Sequence, residues 1–187
     1  LTVGTMILET ENFTHIYDPS EGQTEAWYIN DHCFIRDETG LWHMFGITQT
    51  EPAKPLEEVF FAHATSRDLL TAQWERQPHV LHADANWGET HVWAPHIIRH
   101  EGLYYMYYCA GGADHAHYRI HLATSPDLWT WTRDPANPMV IDGFDGRDPM
   151  VLRADGKWIM YYTANSSPEG GNPVVAAVTS GDLVHGG

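Results

Sequence analysis

The sequence predicts an all-β chain of β-propeller blades, each of four antiparallel strands, and three observations carry that expectation. One strand-and-turn phrase is written three times: Asp31-His-Cys-Phe-Ile-Arg36 with Gly40-Leu-Trp-His-Met-Phe45, Ala94-Pro-His-Ile-Ile-Arg99 with Gly102-Leu-Tyr-Tyr-Met-Tyr-Tyr108, and Asp148-Pro-Met-Val-Leu-Arg153 with Gly156-Lys-Trp-Ile-Met-Tyr-Tyr162. A fixed period of this kind marks a repeat architecture, and four short strands per repeat suit a propeller blade. Each copy then reaches a Ser-x-Asp-Leu turn, at residues 66–69, 125–128 and 180–183. Apolar residues alternate with period two inside every copy, and no stretch sustains the 3.6 period of a helix.

Taken in order, residues 1–28 form a lead-in segment, with one strand expected at Thr5-Met-Ile-Leu8 and a turn at Asp18-Pro-Ser-Glu-Gly22. Blade one spans 29–77 and ends in the strand Trp74-Glu-Arg76. A polar connection, His82-Ala-Asp-Ala-Asn-Trp-Gly-Glu89, leads to blade two at 92–133, which ends in Trp129-Thr-Trp-Thr-Arg133. Asp142-Gly-Phe-Asp-Gly146 leads to blade three at 146–187, where no outer Trp-containing strand follows the turn. The expectation is one partial domain of about three blades. Arg36, Arg99 and Arg153, with Trp42, Tyr104 and Trp158, recur in every copy, so they are expected to pack and pair strands. The Ser-x-Asp-Leu turns are expected to be structural, their side-chain oxygens accepting backbone N–H groups.

Composition narrows the partners. The 187 residues carry 25 Asp plus Glu against 10 Lys plus Arg, a formal charge of -15, so no basic face is available for nucleic acid or an anionic membrane. A neutral ligand such as a carbohydrate fits better. Cys33 and Cys109 both fall inside strand patterns and read as buried free thiols, not a disulfide framework. Neither a membrane span nor the pattern of a signal peptide is visible, and no compartment is indicated.

What differs between copies is the candidate chemistry. The innermost strand of a propeller blade lines the central channel, so the starts of these strands converge on one mouth. That ring holds Asp31, Ala94 and Asp148, with Asn30, Trp93 and Arg147 just before them. Two carboxylates with an aromatic platform and an arginine are suited to glycosidic bond cleavage. Read otherwise, both aspartates cap strand starts and Arg147 is an ion-pair partner. Trp93 and Trp87 are the best candidates for sugar stacking, because neither falls on a repeated position. Among 13 histidines, Asp114-His-Ala-His117 reads as a solvated loop, and His121 follows it on a strand.

These stretches carry a family resemblance. Tyr28-Ile-Asn-Asp31 resembles the start of the Trp-Met-Asn-Asp-Pro-Asn-Gly motif of β-fructosidases, departing from it at His32-Cys-Phe. Gly40-Leu-Trp-His-Met-Phe45 and Ala62-His-Ala-Thr-Ser-Arg-Asp-Leu69 are similar to stretches of invertases, and Arg147-Asp148-Pro149 matches their Arg-Asp-Pro motif. Val92-Trp-Ala-Pro-His-Ile97 is closer to the arabinanase and β-xylosidase group, glycoside hydrolase family 43. All belong to a superfamily of five-bladed β-propeller glycosidases, and the resemblance covers about residues 27–183.

The resemblance implies that Asp31 is a nucleophile or general base and that Asp148 stabilises the transition state. It implies a sugar bound by Asn30, Trp93, Arg147, Trp87 and His96, and an activity on a terminal furanosyl or xylosyl unit. The general acid of the family is a Glu one repeat beyond Asp148; Glu89 and Glu169 are the substitutes available here, neither at the matching position. No cofactor is implied by the residues themselves, although some relatives hold a channel metal, for which His96 is the candidate ligand. An alternative is a catalytically silent carbohydrate-binding or assembly module. Because an open arc of blades exposes apolar faces, the chain is expected to lack C-terminal blades or to associate as a homodimer.

Overall fold

The computed structural model describes residues 14–70 and 74–185; the strand expected at residues 5–8 lies outside them. Eleven strands form three antiparallel sheets. The first sheet runs β1 (Trp27–Arg36), β2 (Trp42–Thr50), β3 (Phe61–Ser66), β4 (Glu75–Val80) in spatial order. The second runs β5 (His91–His100), β6 (Leu103–Gly111), β7 (Tyr118–Ser125), β8 (Thr132–Arg133), and the third has β10 (Lys157–Asn165) between β9 (Arg147–Ala154) and β11 (Pro173–Ser180). Helical structure among the described residues is limited to short 3-10 turns at Pro55–Glu57, Ala85–Trp87 and His115–His117, and no helix there is long and apolar enough to cross a membrane. The all-β, incomplete propeller expected from the repeats is therefore what the chain forms. Its outer strands begin later than their tryptophans suggested, β4 after Trp74 and β8 after Trp131.

Recurring residues hold each sheet together from within. In all three hairpins the arginine ending the inner strand lies opposite an aromatic residue, with guanidinium-to-ring distances of 5.8, 5.8 and 5.5 Å for Arg36 over Trp42, Arg99 over Tyr104 and Arg153 over Trp158. Such distances suit cation–π attraction across a strand pair. The tight turns Glu101-Gly102 and Asp155-Gly156 have positive φ at both residues, the geometry that matches a two-residue hairpin to strand twist. In the Ser-x-Asp-Leu turns the serine oxygen accepts from the aspartate N–H, and the aspartate accepts from Leu70, Trp129 or Val184 N–H at 2.8 Å. Their role is structural, as their spacing indicated. Both cysteines are free thiols in strands, Cys109 buried and Cys33 half-buried, each pushed up in pKa by burial.

Between sheets the core is formed face to face. On β6, Tyr104, Met106, Tyr108 and Ala110 point at the first sheet, where Phe45, Ile47 and Phe61 meet them. Tyr107, one residue out of phase, packs with Val151, Met160 and Tyr162 of the third sheet. The inner strands follow one another, β1 against β5 and β5 against β9. On the far side of the third sheet Met150, Leu152, Tyr161 and Val175 share an exposed face. Truncating a fully buried ring should therefore differ sharply from truncating that face. Phe45→Ala is expected to cost about 3–5 kcal/mol in chemical denaturation, whereas Val175→Ala should change stability by less than about 0.5 kcal/mol.

Candidate active site

Each inner strand breaks register at the same place. The β1–β2 pairing skips Asp31 and His32, β5–β6 skips Ala94 and Pro95, and β9–β10 skips Asp148 and Pro149. Asp31, Ala94 and Asp148 carry φ of 39, 46 and 54°. Non-glycine residues rarely adopt such values, and a bulge of this kind re-aims a side chain beside a site. The three ring positions read from the repeats are thus equivalent in backbone geometry. Around them, at the same end of the sheets, lie the β2–β3, β6–β7 and β10–β11 connections.

The two aspartates sit in different surroundings. Asp148 Oδ2 accepts from Thr163 Oγ1 at 3.0 Å and from Arg147 Nε at 3.2 Å. Arg147 also meets Asp145 at 2.5 Å, and Asp145, buried, is contacted by His115 Nδ1 at 3.0 Å. Burial alone would lower the pKa of Arg147, but Asp145 and Asp148 raise it above its ordinary value. The guanidinium is therefore a fixed cation between two carboxylates. Asn30 and Asp31 are exposed, and lie inside β1 and not at its start as expected, since the strand begins at Trp27.

Trp93 is half-buried, its ring stacked on His91 at 3.8 Å and met edge-on by Tyr118 at 5.2 Å. Its indole N–H donates to Pro55 O at 3.2 Å. Trp87 is half-buried on the turn between the first two sheets. His96 Nε2 lies 3.0 Å from Val151 O, so this ring joins β5 to β9 with one of its nitrogens. Among the described residues no group of three or more His, Cys, Asp or Glu is arranged to hold a metal ion. His115 stacks on Tyr118 and Phe144 while His121 turns to Glu89, so the histidines of that stretch do not converge.

Neither proposed substitute for the general acid has the surroundings of one. Glu89 is buried, with Arg133 Nε 3.0 and 3.1 Å from its two oxygens, Tyr108 OH donating at 2.7 Å and His121 Nδ1 at 2.9 Å. Burial by itself would raise its pKa, but His121, Arg133 and Tyr108 together hold the carboxyl down at about 2. It is a structural anion fastening the connection to β6, β7 and β8. Glu169 is exposed in the β10–β11 loop and accepts from Ser167 Oγ.

Sequence reasoning missed three groups at this end of the sheets: Asp145, Thr163 and Glu58. Glu58 follows Leu56-Glu57 in what reads as a polar surface connection, yet it is buried and accepts from Tyr28 OH at 2.6 Å. No local pattern distinguishes it from Glu57. Asp145 stood in a turn-rich stretch with nothing to mark it as the partner of Arg147.

The comparisons with known proteins agree with this fold. A family described as glycosyl hydrolases family 32 N-terminal domain matches residues 22–185. The uncharacterised protein Rv1502 of Mycobacterium tuberculosis is 30% identical over 146 residues, which cover 74% of this chain and 45% of that protein. A probable sucrose-6-phosphate hydrolase of Psychromonas ingrahamii is 31% identical over 112 residues, 56% of this chain and 20% of that one. The chain thus spans less than half the length of these curated relatives. Among solved structures, the Bombyx mori GH32 beta-fructofuranosidase BmSUC1 superposes with a TM-score of 0.62 at 21% identity, over 83% of this chain and 33% of that one. The family 117 glycoside hydrolase Zg3597 of Zobellia galactanivorans gives 0.67 at 19%, over 90% and 57%, and a thermostable family-43 glycoside hydrolase gives 0.64 at 18%, over 88% and 56%. At these identities the structures establish a shared fold.

The state of Glu89 has a consequence for acid stability. Its folded value of about 2 lies below the ordinary 4.5, so its contribution is fully present above pH about 4.5 and is lost as pH falls toward 2. Glu89→Gln should cost about 3–5 kcal/mol at pH 7, because it leaves the Arg133 charge in place without its partner. In urea denaturation the gap between wild type and variant should shrink as pH drops through that window.

Proposed function

The chain belongs to glycosyl hydrolase family 32 through its N-terminal domain, and on that premise we propose that its mouth takes a terminal furanosyl or xylosyl unit, as a fructoside, arabinoside or xyloside, and cleaves it. The observation that carries this is the pair of exposed carboxylates at equivalent bulges of the first and third inner strands, the second of them bonded by Arg147 and Thr163. In this reading Asp31 attacks the anomeric carbon or activates a water, while Asp148 stabilises the positive charge that builds on the sugar ring. Asn30 and Trp87 contact sugar hydroxyls and faces, and Trp93 offers the ring face turned away from His91. His96 contributes from the wall it forms with Val151. The name of one relative, the probable sucrose-6-phosphate hydrolase, lends support to a fructoside within this class.

A second reading is favoured by the acid. Glu89 is held ionised and Glu169 stands exposed on a loop, so among the described residues neither is suited to protonate a leaving group. A carbohydrate-binding or assembly module would keep the aromatic and carboxylate wall without turnover. The apolar face of Met150, Leu152, Tyr161 and Val175 supports a contact with another protein surface, most simply a second copy. Light scattering should then give twice the 21.2 kDa of one chain.

Assays of sucrose, inulin, arabinan and aryl xylosides or arabinofuranosides separate the two readings. If turnover is found, Asp31→Asn should abolish it and Asp148→Asn should leave it nearly dead, each with the melting temperature of the wild type. Wild-type rates from either variant would remove the assigned role. In the binding reading Trp93→Ala should weaken sugar binding by about tenfold, measured by calorimetry, while Trp158→Ala changes it only as far as stability falls.

A further inference from the structure

One buried carboxyl at the mouth is used by neither catalytic assignment. Glu58 is 4% exposed, although it lies in the β2–β3 connection among exposed neighbours, residues 51–57. Two separate blades hold this residue, the first by its side chain and the second by its main-chain carbonyl. From the first, Tyr28 OH donates to its carboxyl at 2.6 Å, and Tyr28 stands three residues before Asp31 on β1. From the second, Val92 N donates to Glu58 O at 3.0 Å, immediately before Trp93 and two residues before the Ala94 bulge. The Trp93 indole N–H bonds Pro55 O in the same connection and lies close enough to the Glu58 carboxyl to lower its pKa. Burial outweighs these donors, and with Asp31 nearby it keeps the carboxyl above the usual carboxylate range. A buried carboxyl is expensive unless its hydrogen bonds are needed where it sits.

We propose that Glu58 is a positioning residue of the mouth, a clamp that joins β1 to β5 and sets Asp31 against the ring of Trp93. This rests on the reading of the mouth as a sugar site. Its consequence is that the spacing between the attacking carboxylate and the stacking face, and so the choice of sugar ring accepted between them, depends on a side chain that touches neither bond nor ring. A displacement of about 1 Å between such groups costs up to about a hundredfold in rate.

Three variants test the clamp. Glu58→Gln keeps an acceptor of the same length for Tyr28 OH, Glu58→Ala removes it, and Tyr28→Phe removes the donor while keeping the ring. The probes are sucrose and an aryl arabinofuranoside, followed by turnover where it exists and otherwise by binding. Glu58→Ala and Tyr28→Phe should lose about tenfold or more in kcat/KM or affinity, with Glu58→Gln within about threefold of wild type. The losses should exceed what the change in melting temperature accounts for. If all three match wild type, or if Glu58→Gln is as damaged as Glu58→Ala, the clamp is wrong. Should Glu58→Ala fail to fold, Tyr28→Phe and Glu58→Gln carry the comparison. Where the wild type neither binds nor cleaves either probe, it is the sugar-site reading that fails, and the clamp is then judged on the indole N–H resonance of Trp93, assigned with Trp93→Phe. That resonance should move in Glu58→Ala and Tyr28→Phe and stay in place in Glu58→Gln; an unmoved resonance in the first two overturns the proposal.

Discussion

Because the second sheet is buried on both faces, the alternation of β6 decides where the other two sheets lie. Even-numbered Tyr104, Met106, Tyr108 and Ala110 turn to the first sheet and odd-numbered Tyr107 to the third. A one-residue slip in β6 would exchange these sets and unseat both neighbours at once. The tyrosines also anchor the polar periphery. Tyr108 OH reaches the Glu89 carboxylate at 2.7 Å and Tyr107 OH the Leu183 carbonyl at 2.6 Å, so each large ring is buried without orphaning its hydroxyl.

With the sheets stacked in this way, the inner strands run side by side and their bulges fall at corresponding places. The strain at those bulges is a property of the blade, not of catalysis, because Ala94 adopts the same positive φ as Asp31 and Asp148 while offering no functional group. Each such residue costs of order 1–3 kcal/mol and persists only where the surrounding structure over-determines it. A repeated scaffold therefore provides three equivalent outlets, and the side chain at each decides what is done there. The small Ala94 between two carboxylates leaves room at the middle outlet, where Trp93 and Glu58 come in from the side.

Much of the fold was legible because it is repeated. Arg36, Arg99 and Arg153 with their aromatic partners, and the three Ser-x-Asp-Leu turns, could be read as structure because each copy vouched for the others. The equivalence of Asp31, Ala94 and Asp148 in the backbone was legible for the same reason, since each copy places its residue at a corresponding bulge. What was illegible is not repeated. Glu58 acts through Tyr28 across 30 positions and Thr163 through Asp148 across a hairpin, while Asp145 meets both Arg147 beside it and His115 from another element, contacts that no repeated pattern marks. Glu89 shows the opposite failure: a spare carboxylate, though not at the matching position, invites a catalytic role, and only its burial against Arg133, His121 and Tyr108 reveals a structural anion.

The contrast between Glu89 and Glu58 shows how one residue type is turned to opposite ends by its partners. Both are buried to a similar degree, and burial pushes both carboxyls up. Glu89 has a guanidinium against both oxygens, and that charge reverses the effect of burial. Glu58 has a phenol, an indole and a neighbouring carboxylate, so no cation offsets it. Without a cation, Glu58 is held by hydrogen-bond donors alone: Tyr28 of β1 donates to its carboxyl, and Val92 of β5, beside Trp93, donates to its main-chain carbonyl. The same charge deficit runs through the whole chain, with 25 acidic residues to 10 basic ones. Where the few arginines are committed, as Arg133 is to Glu89 and Arg147 to Asp145 and Asp148, the carboxyl is fixed in place by charge-assisted contacts.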